Sequence, residues 1–173
     1  MSDLQENYTL KQYLQEIIAN DVEIFNTLIK WGEGDIQEFK QLLEILESPY
    51  DKSVETTKQK GDRLENLVEF IIRKSYFFEV YKNVHTETNE IDEIIVLSDC
   101  GRQALKKYGL SRDLIPIEAD TFLGQCKNYD SNLGVTYVGK FYSLLSVTDM
   151  PFGIIFTQKG YINTKRFGND RYG

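Results

Sequence analysis

Asn89-Glu90-Ile91-Asp92-Glu93-Ile94-Ile95-Val96-Leu97 and Leu123-Gly124-Gln125-Cys126-Lys127-Asn128 are the two stretches from which the fold can be read. Each has the short apolar run of a strand. Near the start of the first sits an acid, Asp92, and the second closes on a polar-x-Lys triplet. Successive side chains of a strand point to opposite faces, so Gln125 and Lys127 share one face and Cys126 takes the other. If the two strands pair, Asp92, Gln125 and Lys127 converge on one small volume. A carboxylate, an amide oxygen and an ammonium at one spot suit a hard divalent cation and a water beside a phosphate.

The segments around these strands read as an α/β domain. Leu64, Leu67, Val68, Ile71 and Ile72 make a helical stripe in a unit that begins at Gly61, with Asp62 as its N-cap. Tyr76–Tyr81 has the aromatic and β-branched content of a strand, and 85–89 reads as a polar turn. Residues 98–118 form an insertion with a short helix around Arg102–Tyr108. Ala119–Lys127 is the next strand, Val135–Val147 a helix, and Phe152–Thr157 a buried strand. Three sequential strands favour an antiparallel meander, and the strand-helix-strand crossover adds a parallel fourth. The expectation is a mixed sheet flanked by helices in the order αβββαβ.

Upstream, residues 9–47 are helical in pattern, as a hairpin or a three-helix unit with a break at Asn20-Asp21. Asp35 and Glu38 form a start signal after the Trp31–Gly34 turn, and Ser48-Pro49 ends the helix. Residues 51–60 are polar and read as a linker. The domain division is therefore a helical unit at 1–50, a linker at 51–60 and the α/β domain at 61–173. Residues 1–50 serve either as a packing appendage or as a module for homodimerisation or a protein partner.

Composition restricts the function classes. The chain has 173 residues, 41% hydrophobic and 27% charged, as in ordinary globular domains. No apolar run approaches the roughly 20 residues of a membrane helix, and the acidic N-terminus does not resemble a signal peptide. Cys100 and Cys126 make no C-x-x-C pair, and the expectation is a cytoplasmic protein with reduced thiols. All of the net −7 lies in residues 1–50, where three Lys/Arg stand against ten Asp/Glu. The remainder is neutral, so overall charge neither excludes nor supports nucleic acid. His85, the one histidine, lacks triad partners, and two scattered cysteines cannot complete a structural zinc site. There is no Gly-rich phosphate loop.

Taken together, Gly61-Asp62-Arg63-Leu64-Glu65 opening a helix, Glu90-Ile91-Asp92 in the second strand, Gln125-Cys126-Lys127-Asn128 in the third, and the Gly134–Tyr142 helix leading to Phe152–Phe156 resemble the PD-(D/E)XK, or restriction-endonuclease-like, nuclease superfamily. The nearest branch is Mrr-like, where the motif often reads Q-x-K. The likeness covers roughly residues 60–158. It implies a restriction-endonuclease-like core with the N-terminal helical unit outside it, and an Mg²⁺-dependent endonuclease (Mn²⁺ substituting) that hydrolyses DNA, with RNA not excluded, in a setting such as bacterial restriction or phage defence. By the same resemblance Asp92 is the main metal ligand, joined by the Gln125 side chain, the Cys126 backbone carbonyl and Glu65, while Lys127 orients the attacking water and steadies the phosphate charge.

Each residue also has a plainer explanation. Asp62-x-x-Glu65 is a capping box in which Glu65 does no more than accept a backbone N–H, and the sequence leaves both explanations open. Glu69, one turn on, could substitute for Glu65. Glu90 shares the face of Asp92 and is a further candidate, whereas Glu93 points away and is expected to be structural. Lys140, Lys159, Lys165, Arg166 and Arg171 could contact phosphate or form a solvated face. A rival function is a nuclease-fold protein that binds nucleic acid or a partner without cutting. It is motivated by Gln125 in place of an acid, by the acidic helical unit and by the lack of an obvious basic patch.

Overall fold

A computed structural model of the chain describes residues 9–85 and 90–160. Most of the 85–89 turn, and Lys165, Arg166 and Arg171 of the tail, lie outside them. The elements are α1 (Leu10–Ile29), α2 (Glu33–Glu47), α3 (Thr57–Lys74), β1 (Phe78–His85), β2 (Glu90–Leu97), α4 (Asp99–Tyr108), a 3₁₀ turn at Arg112–Leu114, β3 (Thr121–Lys127), α5 (Val135–Val147) and β4 (Gly153–Thr157).

The four strands form one mixed sheet in the order β1-β2-β3-β4. β1, β2 and β3 run antiparallel as a meander, and α5 carries the chain over to β4, which lies parallel to β3. Side-chain alternation gives the sheet two covered faces. Cys126 packs with Leu64, Leu67 and Val68 of α3 and with Leu46 of α2. Leu123 and Ile91 pack with Phe141 of α5. Gly153 allows α5 to lie this close, because a Cβ there would come within 2.6 Å of the Phe141 ring. A third cluster, around Phe77, Ile95, Leu97 and Phe122, is closed by α4 and by the second half of α1.

Several local expectations are corrected. α1 runs unbroken through Asn20-Asp21, so the upstream region holds two helices. Asp35 is not a cap; it occupies the third helical position and accepts the Gly32 N–H at 3.0 Å. Tyr76 belongs to no strand: it has φ 69°, a left-handed turn conformation between α3 and β1, and the strand begins two residues later. His85 closes β1 instead of standing in a loop.

The start of α3 is the most consequential correction. Its N-cap is Thr56, whose Oγ1 accepts the Gln59 N–H at 3.2 Å while Gln59 Oε1 accepts the Thr56 N–H at 2.8 Å. A reciprocal cap of this kind satisfies two otherwise orphaned donors. Residues 57–60 are therefore helix and not linker, and Asp62 lies inside the helix.

The helices α1 and α2 also share core with the sheet. Leu46 is buried beside Cys126, and Ile24, Phe25, Leu28 and Ile29 pack on the Phe77 cluster. Trp31 donates its indole N–H to the Lys74 carbonyl at 3.3 Å, and Lys74 pairs with Asp35 at 2.6 Å, which fastens α2 to the end of α3.

Candidate active site

The site lies where β2 and β3 separate. Their pairing runs from Val96–Thr121 to Glu93–Gly124. Just beyond this last pair, the Cys126 N–H is donated to the Asp92 carboxylate, at 3.2 Å to Oδ2, so a side chain takes a donor that a partner strand would otherwise use. Lys127 donates from Nζ to the same oxygen at 3.0 Å. The two side chains are only 19% and 21% exposed, which sets this ion pair apart from a freely solvated one.

Asp92 and Lys127 open into a cavity of about 540 Å³ roofed by the first turns of α3. Glu65 lines it as well. Because α3 begins at Thr57, Glu65 is a mid-helix residue and the capping explanation drops away. Burial raises its carboxyl above the usual range, and the nearby Asp92 and Asp62 charges raise it further. Glu69 is held elsewhere, in ion pairs with Arg73 at 2.9 Å and Lys82 at 2.9 Å. Burial alone would raise its carboxyl, but those two hydrogen-bonded cations outweigh it and leave it lowered.

Gln125 departs from expectation. It shares a face with Lys127, yet it is not among the residues lining the cavity. It pairs with Ile155 of β4, whose side chain belongs to the α5-covered cluster, one strand repeat deeper than Lys127. The converging set is therefore Asp92, Lys127, Glu65 and residue Cys126, without Gln125.

Glu93 points away from Asp92, as expected, but its setting is unusual. It is fully buried, its Oε1 lies 3.6 Å from the Cys126 sulfur, and its Oε2 has no hydrogen-bond partner. Burial pushes its carboxyl up to about 7. The Cys126 thiol is pushed well upward by its own burial and by Glu93, which makes it an inert core group.

Sequence reading missed the cationic side of the cavity. Lys52, Lys58 and Lys60 all line it, and Lys60 is held by Asp130 at 2.5 Å while lying over the Tyr50 ring at 4.9 Å. Three lysines within nine residues are a visible signal in the sequence, masked by the polar, linker-like composition around them. Asn128 also lines the cavity. It donates to the Lys60 carbonyl at 2.7 Å and leaves its Oδ1 buried without a donor. On the rim, Tyr129 and Tyr137 lie with ring centroids 5.2 Å apart, and Lys140 sits 5.8 Å from the Tyr137 ring. Tyr129 is raised to about 12, mainly by burial and then by its hydrogen bond with Tyr137.

No cluster of three or more His, Cys, Asp or Glu side chains suited to a metal occurs among the described residues. Asp92 and Glu65 nevertheless share one cavity, and the Asp92 charge raises the Glu65 carboxyl. Two hard oxygen donors in mutual repulsion fit a cation such as Mg²⁺, which is content with one or two carboxylates and keeps most of its waters. They do not fit an all-protein cage. Compared with known proteins, the chain matches no family model, no curated protein and no solved structure. No described helix is long and apolar enough to cross a membrane.

Proposed function

We propose that this chain is a metal-dependent phosphodiesterase of the restriction-endonuclease-like type, acting on DNA. The observation that carries the reading is the Asp92–Lys127 pair at the point where β2 and β3 part, inside a cavity shared with Glu65. The meander with a parallel fourth strand, covered by α3 on one face and α5 on the other, supports it.

Asp92 and Glu65 would hold Mg²⁺, with the Cys126 carbonyl as the third donor that the resemblance implies. The bound ion supplies a water of lowered pKa and positive charge beside the phosphate. The chain's own groups do the remainder. Lys127 keeps an ammonium at the Asp92 carboxylate, where its remaining N–H donors can meet a phosphoryl oxygen or orient the attacking water. Lys52 and Lys58 offer charge for the neighbouring phosphates, close to the N-terminus of α3, while Lys60 beside them is held by Asp130. The Tyr129–Tyr137 pair gives a base an aromatic surface at the rim.

The position of Gln125 favours a second reading, that of a nuclease-fold protein that binds nucleic acid without cutting. The deciding experiment is cleavage of plasmid and linear DNA with Mg²⁺ or Mn²⁺ by the wild type, Asp92→Ala and Lys127→Ala. Cleavage by the wild type alone supports the hydrolase. Equal cleavage by all three removes this site from the reaction, and binding without turnover by the wild type favours the second reading.

A further inference from the structure

α1 carries one apolar stripe with two different surroundings. Leu10, Leu14, Ile17, Ile18 and Val22 follow helical spacing, and Ile24, Phe25, Leu28 and Ile29 continue the same face. The second group packs on the Phe77 cluster. The first group is bare: Leu10 is 74% exposed, Ile18 63%, Leu14 48%, and Ile17 and Val22 about as much. A contiguous row of large aliphatic side chains in water marks an interaction surface, and a helix overhanging its domain lacks the packing that normally sustains it.

We infer that residues 10–22 of α1 pack antiparallel against the same residues of a second copy of this chain. The charges on this stretch specify the occupant. They are Lys11, Glu16 and Asp21. Asp21 lies within the apolar stripe and Lys11 at its edge, while helical spacing puts Glu16 on the far side. A two-fold axis at residue 16 sets Leu10 against Val22 and Leu14 against Ile18. It also sets Lys11 of each copy against Asp21 of the other, twice, so the surface is self-complementary. A parallel pair would oppose Lys11 to Lys11 and Asp21 to Asp21. It would also bring both folded bodies, joined to α1 from Ile24 onward, to the same end. The overlap is about 20 Å long, shorter than most permanent interfaces need, so the dimer forms in the micromolar range.

Sedimentation of the full chain between about 1 and 200 µM reads this association. The wild type should pass from monomer to dimer as concentration rises. Leu14→Lys/Ile18→Lys should remain monomeric, with a melting curve matching that of the wild type at about 1 µM, where both are single chains and both positions are exposed. Lys11→Asp and Asp21→Lys should each weaken the dimer about fivefold or more, and the double exchange should restore it. A wild type that stays monomeric at the highest concentration overturns the inference, as does a dimer indifferent to Leu14→Lys/Ile18→Lys. A dimer that the double exchange fails to restore overturns the antiparallel register.

Discussion

Glu93 and Gly124 face one another across β2 and β3, and the glycine is what gives the buried carboxyl its room. A Cβ at position 124 would lie 2.5 Å from Glu93 Oε2 and 3.1 Å from both Glu93 Cβ and Ile95 Cδ1. Gly124→Ala should therefore destabilise the fold by about 1–3 kcal/mol. In the Glu93→Ala background the same change should cost much less, and denaturant melts of the four proteins in a double-mutant cycle measure the difference.

The Glu93 carboxyl also links stability to pH. Its value of about 7 in the folded chain lies above the ordinary 4.5, so the folded state holds this proton more tightly than the unfolded state. The contribution is fully present below about pH 4.5, declines as pH rises and is lost above about 7, a difference of roughly 3 kcal/mol. Glu93→Gln should be more stable than the wild type at pH 8 and should flatten this part of the profile. Chemical denaturation at pH 5 and pH 8 checks it.

Charge in the cavity gives a sharper activity prediction. Lys127→Ala should lower cleavage by about 100-fold or more, in keeping with the loss of a preorganised donor at a phosphate. Glu65→Gln should weaken Mn²⁺ binding in a calorimetric titration, with folding intact. The raised Glu65 carboxyl sets the sign of the pH response: cation binding should fall off on acidification at a higher pH than an ordinary glutamate would give.

Thr56 and Gln59 hold the turn that carries Lys58 and Lys60 to the cavity. Thr56→Ala should cost about 1 kcal/mol through the lost cap and should weaken DNA binding at low salt more than Thr27→Ala, a change remote from the cavity. Fluorescence anisotropy with a short labelled duplex reads both variants.

Much of this was legible in the chain. β2, β3, α5 and β4 lie within a residue or two of where the apolar patterns put them, and Asp92 and Lys127 meet as alternation and pairing required. What escaped depends on tertiary context. The polar run before Gly61 reads as linker because its capping pair, Thr56 and Gln59, lacks an apolar stripe beside it. Alternation along β3 gives the face of Gln125 and not its depth, and depth decides whether it reaches the cavity. Alternation turns Glu93 away from Asp92, but no local pattern reports that a carboxyl will be sealed under α3 against a thiol.

Trp31 is the single tryptophan in the chain, and it stands at the elbow of α1 and α2 against the rings of Phe39 and Phe70. Its emission is therefore a built-in optical gauge of how the helical hairpin seats on α3. It lies apart from the cavity, so one cuvette can separate a variant that has loosened this joint from one that has lost only its chemistry.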